Sequence, residues 1–377
     1  MNDKRCIFHY PGPIVENPSA GSQLRPKMML DAFEKNGYNV EKIIGYGVER
    51  KAKIKEVEKK IKNGVRYDFV YSESLTQPTL LAEKDHIPRH PFIDFSFFKI
   101  CKKYNIPIGL FYRDMYWKFP IYQETVPWYK RIITIPLYKY DLLMYLKLID
   151  VMFVPSVKIE EYGLDCFKLC ELPPGCQEEK EVCEYKQNIE KSGKSIHLFY
   201  VGGLGGVYNP YNVVKAVSEC KDVFLTICTG KEHWDSNKSR YDNILNDNIE
   251  VVHKKSSELK TYYKNSDIAL VCQAHSVYMD MASPIKAKEA LGYGTPIIIS
   301  SNMDLSQDVI KNNYGWRVVN SVEEIKNLLE YLKSHPEEIR EKTLGAISAM
   351  KKNTWEYRAN QVAMELKYEF KKHFKRT

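Results

Sequence analysis

Two doubly wound α/β domains are what this sequence predicts, on three observations. Short apolar runs alternate with amphipathic stretches along nearly the whole length, as parallel strands joined by crossover helices require. At 377 residues the chain is too long for one ordinary core and long enough for two. The alternation pauses once, after LPPG (172–175), in the charged, weakly patterned stretch EEKEVCEYKQNIEKSGKS, which reads as a boundary and linker. The expected division is therefore 1–185, 186–352 and a terminal helical segment, 353–377.

In the first half, strands are predicted at CIFHY (6–10), DFVYSE (68–73), IPIGLFY (106–112) and VMFVPS (151–156). Between them, QLRPKMMLDAFEKNG (23–37), VERKAKIKEVEKKIKNG (48–64) and FIDFSFFKICKKY (92–104) carry helical patterns. The second half repeats the grammar with strands at IHLFYVGG (196–203), VFLTICT (223–229), IEVVH (249–253), IALVC (268–272), PIIIS (296–300) and GWRVVN (315–320). The end, TWEYRANQVAMELKYEFKKHFKRT, is a long helix whose basic last turn suits the helix dipole.

The composition, 44% hydrophobic and 28% charged, is that of a globular protein, and no apolar run approaches the ~20 residues of a membrane span. The start, MNDKRCIFHYPGP, has no long apolar stretch or small-residue cleavage site, so secretion is not expected. Nine cysteines, several inside strand-like runs, suit reduced thiols; the cluster Cys166, Cys170, Cys176 and Cys183 lacks paired C-x-x-C spacing, and no metal is expected. A net charge of +8 favours an anionic partner without choosing among nucleic acid, lipid and phosphorylated substrate.

Ligands of open parallel sheets bind beyond the carboxyl ends of the strands, so the strand-end loops are the candidate sites. FYVGGLGGVYNP (199–210) places Gly202, Gly203, Leu204, Gly205 and Gly206 between a strand and a helix, where backbone N–H groups can approach a phosphate. A plain strand-to-helix turn would read the same, because both the G-x-G-x-x-G and the P-loop spacings are missing. TICTGKEHWD (226–235) offers Gly230 and Lys231, a cleft cation or a solvated loop lysine.

In SPIKAKEALGYGTPIIIS (283–300), Ser283 is a good N-cap and Pro284 suits the first helical turn, leaving free N–H groups for an anion. Lys286 and Glu289, three apart, share a helix face, so the lysine can hold a diphosphate while the carboxylate accepts ribose hydroxyls. Lys288 points about 100° away from Glu289 and is expected in solvent. The strand ending GLFYRDMYWKF (109–119) presents Arg113 and Asp114, one of which is expected to face substrate unless the pair is only structural. Lone histidines such as His9, His275 and His253 are expected to be satisfied structural groups.

Together these segments resemble the GT-B glycosyltransferases, and most closely glycosyltransferase family 4 and its bacterial surface-polysaccharide relatives. NPSAGSQLRP looks like the family's first glycine-containing loop, LPPG like its marker near the end of the first domain, and VGGLGG like its donor-side loop. SPIKAKEALGYGTPIIIS is the most specific match: it looks like the S-P-x-K-x-x-E form of the family's E-x7-E motif, with Met281 where the first glutamate would stand. The cation pair that many relatives carry after the glycine loop is also absent, so Lys286, Lys231 and Arg25 are the candidate replacements.

The resemblance implies two Rossmann-like domains facing a central cleft, with the C-terminal helix crossing back to the first. It implies a retaining transfer of a sugar from a nucleotide-sugar, UDP-linked by preference, to a glycan acceptor on a lipid carrier, in capsule, lipopolysaccharide or exopolysaccharide synthesis. Catalytic roles fall to Asp114, Arg113 and Lys286. Donor binding falls to Gly202, Gly203, Leu204, Gly205, Gly230, Lys231, His253, Lys254, Ser283, Pro284, Ile285, Lys286 and Glu289, and the acceptor side to Gly21, Ser22 and Arg25. No cofactor is implied. Alternatives are a sugar-nucleotide 2-epimerase of the same architecture and a catalytically degenerate glycan-binding or scaffold subunit. Finally, WYKRIITIPLYKYDLLMYLK (128–147) is basic, aromatic and partly apolar, which suits the inner face of a cell membrane, with Pro136 expected to break or kink it. No nucleic-acid-binding motif accompanies the basic residues.

Overall fold

A computed structural model of the chain describes residues 4–16, 21–189, 195–206 and 209–374. The chain forms two compact units, residues 1–173 with 355–377, and residues 174–354.

The first unit is built on six parallel strands: β1 (Arg5–Tyr10), β2 (Asn39–Ile44), β3 (Phe69–Glu73), β4 (Ile108–Phe111), β5 (Val151–Val154) and β6 (Leu169–Glu171), in the order β2-β1-β3-β4-β5-β6. β3, β4 and β5 are buried along their whole length, as sheets covered on both faces demand. β2 and β6 are additions to the expected strands. β2 reads NVEKII and mixes charge into an edge strand, and β6 is only three residues long, so neither carries the continuous apolar run of a central strand.

An aromatic group of Phe8, Phe33, Phe69 and Tyr71 fills one face of this sheet, with ring centroids 5.3–6.4 Å apart. The helix Trp355–Phe374 joins the same core through Trp355, Ala359, Val362 and Leu366. Its approach explains Gly109: a Cβ there would lie 2.6 Å from Phe153 and 3.0 Å from Leu366. The helix Trp128–Leu148 runs unbroken through Pro136, contrary to the expected break.

The second unit holds β7 (Ile196–Val201), β8 (Val223–Cys228), β9 (Ile249–Val252), β10 (Ile268–Val271), β11 (Ile297–Ser300) and β12 (Gly315–Val318), all parallel, in the order β12-β11-β10-β7-β8-β9. All six lie where the apolar runs place them. The expected linker differs: residues Lys180–Asn188 form a helix that belongs to this unit. Its Cys183 thiol donates to the Gly292 carbonyl at 3.5 Å, and the buried Lys186 ammonium donates to Ser266 O and Thr295 Oγ1, each at 2.7 Å. Burial of one face through Val182, Cys183 and Lys186 draws the segment into the second core, which moves the division from residue 185 to 173.

Both orders reverse once, between β1 and β3 in the first unit and between β7 and β10 in the second. These are the topological switch points, where the loops diverge and leave room for a ligand beyond the strand ends.

Candidate functional site

At the second unit's switch point, β7 runs into the loop Gly202–Gly206. Gly202 has φ +150° and Gly206 φ +60°, conformations that a side chain disfavours. The Gly202 N–H donates to Cys228 O at 3.0 Å, and the buried Tyr200 hydroxyl donates to Gly203 O at 2.6 Å, so the loop is pinned from beneath. Leu204 is fully buried in the core. Its side chain therefore anchors the loop instead of lining a donor pocket, and only its backbone could serve as expected.

Lys286 projects from the helix Ile285–Gly292 toward this loop. Its Nζ lies 4.6 Å from the centre of the Tyr200 ring, and a Cβ placed on Gly202 would be 3.7 Å from it. Burial pushes the Lys286 amine down to about 8. One turn along, Glu289 accepts a hydrogen bond from the buried Tyr263 hydroxyl at 3.2 Å, and Tyr293 stacks on Tyr263 at 4.4 Å. Burial raises the Glu289 carboxyl, opposed by the Tyr263 hydrogen bond. The structure thus brings together Gly202, Tyr200 and Lys286, with Glu289 on the same helix.

Two expectations for this segment fail. Ser283 does not cap the helix: Pro284 occupies the N-cap, no side-chain cap bond forms, and Ser283 Oγ is buried without a hydrogen bond among the described residues. Proline fixes the extended-to-helical transition by its own φ of −65°, so the helix starts at Ile285. Lys288 is not in solvent. It is 1% exposed and reaches Asp308 Oδ2 at 3.1 Å and the Tyr314 hydroxyl at 3.4 Å, because its face of the helix looks into the core.

The remaining candidates lie along neighbouring strand ends. Gly230 precedes a short helix, Lys231–Asn237, and Lys231 is exposed and paired with Asp235 at 3.0 Å. Nδ1 of His253 lies 2.8 Å from Thr229 O, tying the ends of β8 and β9, and Lys254 pairs with Glu258 at 3.4 Å. His275 pairs with Asp280 at 2.6 Å.

In the first unit, β3 ends in Glu73, a residue the sequence reading passed over. It is 0% exposed and sits between two arginines: Arg25 Nε at 3.5 Å and Arg113 Nη2 at 3.7 Å. The Tyr71 hydroxyl donates to Glu73 Oε1 at 2.9 Å. The signal was available, since DFVYSE ends an otherwise apolar buried strand on an acid. Arg113 is the member of the Arg113–Asp114 pair that joins this cluster; Asp114 accepts from the Tyr116 N–H at 2.8 Å and shapes its own loop. Gly21 and Ser22 begin the helix Gly21–Lys35, but the Ser22 side chain lies outside what the structure describes, as do residues 17–20 of the first loop and Val207 and Tyr208 of the second. His9 is held by Ser72 and Asp94 at 2.8 and 2.9 Å, with Arg50 completing the carboxylate's partners, and is a satisfied core group.

Residues 182–345 match the family described as glycosyl transferases group 1. Among solved structures, a glycosyltransferase from Rickettsia africae is 12% identical at a TM-score of 0.61, covering 98% of this chain and 99% of that one. Sucrose-phosphate synthase from Thermosynechococcus elongatus is 12% identical at 0.58, with 100% of each chain covered. Anabaena HepE in complex with UDP is 8% identical at 0.59, covering 96% and 99%. A search of the curated proteins found no match. Residues 182–345 are thus similar to a glycosyltransferase group 1 domain, and the chain shares the GT-B fold of the glycosyltransferases it resembles.

Proposed function

We propose that the chain is a retaining glycosyltransferase that transfers a sugar from a UDP-sugar to a glycan acceptor on a lipid carrier, in the synthesis of a bacterial surface polysaccharide. The observation that carries this reading is the Lys286 ammonium set beside the Gly202 turn at the second unit's switch point, with the Glu289 carboxylate one turn along the same helix. UDP bound to the structurally similar HepE supports the choice of base.

Breaking an anomeric bond concentrates negative charge on the departing diphosphate, and preorganised donors aimed at that charge are the main source of stabilisation. The N–H groups of the Gly202–Gly206 loop and of the first turn from Ile285 supply fixed partial charge, and Lys286 supplies a full one. Glu289 receives the ribose hydroxyls, held in place by Tyr263. The acceptor hydroxyl attacks on the face the phosphate leaves, and the departing phosphate takes its proton, so no enzyme nucleophile is needed. Arg113, Asp114 and Arg25 serve the acceptor side.

The helix Trp128–Leu148 supplies the membrane contact. Its solvent face carries Trp128, Ile132, Ile133, Leu143 and Leu146, from 46% to 66% exposed, with Lys130, Lys139 and Lys147 among them. Its only acidic residue, Asp141, is buried. An apolar stripe studded with lysines suits an anionic lipid surface at the cytoplasmic leaflet. No described helix is long and apolar enough to cross a membrane.

Titration with UDP, GDP and ADP tests the donor assignment, and a screen of UDP-sugars for hydrolysis or transfer tests the activity. Saturable UDP binding that is lost in Glu289→Ala supports the reading; no nucleotide binding, or binding unchanged in that variant, contradicts it.

A further inference from the structure

The cluster at the first unit's switch point is electrostatically incomplete. Arg25 is 4% exposed, with its guanidinium carbon 3.4 Å from the centre of the Phe111 ring; its polar neighbours are Glu73 and the Tyr71 hydroxyl, and its Nε, Nη1 and Nη2 make no hydrogen bond of good geometry among the described residues. Arg113 Nη2 and Glu73 Oε2 are also buried and without hydrogen bonds among those residues. The ion-pair distances of 3.5 and 3.7 Å are too long for the short charge-assisted bonds that such groups form when they are each other's final partners.

Two guanidinium charges face one carboxylate, so the cluster keeps a net positive charge in a water-poor setting, where leaving donors unmet is costly. The other polar groups at the cluster among the described residues are hydroxyls: Tyr71, which donates to Glu73 and also interacts with Arg25, and Tyr10, which interacts with Arg113. Arg113, with 14% of its side chain exposed, is the member a ligand can reach, while Arg25 lies behind it against the aromatic rings of Phe111 and Trp355. Arg113 is fixed from its backbone, where its N–H donates to Ser74 Oγ at 3.0 Å.

We infer that the first unit binds an oxyanion at Arg113, backed by Arg25, and that the acceptor therefore carries a phosphate or carboxylate group near the hydroxyl that receives the sugar. The inference rests on the glycosyltransferase reading for the word acceptor, but the anion site stands on the arginines alone. Glu73 is a positioning residue: it holds both guanidiniums in place and cancels one of their charges. This assigns it an unusual sign. Removing its charge while keeping its shape strengthens the anion site, whereas in a purely structural ion-pair cluster the same change alters no anion affinity.

The test is calorimetric titration of the full chain with methyl phosphate and, separately, with glucuronate, each in the presence of saturating UDP so that the second unit's phosphate groups are occupied. Saturable binding is expected for at least one probe. Its affinity falls about tenfold in Arg113→Gln, is partly restored in Arg113→Lys, and rises several-fold in Glu73→Gln. A phosphate response without a glucuronate response assigns the anion to a phosphorylated acceptor, and the reverse to an acidic sugar. If Glu73→Gln unfolds, shown by loss of UDP binding and of the cooperative melt, the Arg113 pair of variants decides alone. No saturable binding of either probe, or binding unchanged in Arg113→Gln, overturns the inference. Failure of the wild-type chain to bind UDP, with anion binding intact, overturns the donor assignment and leaves this site standing.

Discussion

The two units place charge at their switch points in opposite ways. In the first, Arg25, Glu73 and Arg113 form a compact ionic cluster whose carboxylate is fully buried between cations. In the second, Lys286 and Glu289 are separated by a helical turn, and each shifts toward its neutral form, the amine down to about 8 and the carboxyl up. A charge set between counter-charges in the resting protein is ready to position a ligand; one that burial shifts toward its neutral form carries a desolvation cost that an incoming ligand of opposite charge relieves. Under the proposed function, the donor's diphosphate meets the lysine and its ribose meets the glutamate. The difference teaches that the second unit should respond to ligand and pH more steeply than the first.

The largest expected effect follows from removing either second-unit charge. Lys286→Ala is expected to weaken UDP binding by about 1.5–3 kcal/mol, on the order of tenfold to a hundredfold, with the fold retained, as judged by calorimetry beside a thermal melt. Equal UDP affinity in the variant would remove the contrast between the units.

Next is a packing effect with no electrostatics in it. A Cβ on Gly292 would lie 2.2 Å from the Gln177 carbonyl oxygen, backbone that cannot swing aside. Gly292→Ala is expected to cost roughly 1–3 kcal/mol in urea denaturation through the shift it forces on the helix carrying Lys286 and Glu289. An unchanged midpoint would show that this helix is not held against residue 177.

A smaller and sharper comparison is between two lysines two residues apart. Lys288 already has Asp308 and Tyr314 as partners, and Asp308 is 41% exposed, so water can take over its carboxylate. Lys288→Met is expected to leave UDP affinity within about twofold and to change stability by roughly 1 kcal/mol or less. If it abolished nucleotide binding while Lys286→Ala did not, the assignment of the two lysines would be reversed.

The smallest effect concerns the first unit's exposed helix. Ile132→Asp with Ile133→Asp places two carboxylates on its apolar face and is expected to abolish flotation with anionic vesicles at low salt, without altering UDP affinity. Retained flotation would exclude this helix as the membrane contact.

Much of the fold was legible because central parallel strands are apolar throughout. The six strands of the second unit could be read in this way, whereas β2, an edge strand carrying Glu41 and Lys42, could not. The helix Lys180–Asn188 was read as linker because its buried face includes Lys186, whose burial depends on acceptors at Ser266 and Thr295, about 80 and 109 residues away in sequence. The same limit governs the sites. Helical spacing put Lys286 and Glu289 on one face, but only tertiary packing shows that Lys288 faces Asp308, that Leu204 is core and that Pro284 supplants Ser283 as the cap. Glu73 itself is legible as an acid that ends an apolar strand, but its partners are not, because Arg25 comes from a helix and Arg113 from another strand end.

The central claim is that Lys286 waits, partly deprotonated by burial, for a diphosphate. Since folding lowers this amine from an ordinary 10.5 to about 8, its desolvation penalty is fully present below about pH 8 and is relieved as pH rises toward 10.5. A diphosphate favours the charged form, so binding takes up protons on the alkaline side. The direct measurement is UDP affinity of the full chain from pH 6.5 to 9.5, with Lys286→Ala in parallel. The account predicts an affinity that is level below about pH 8 and falls above it, a fall that the variant lacks; a flat wild-type profile, or the same fall in both proteins, would contradict it.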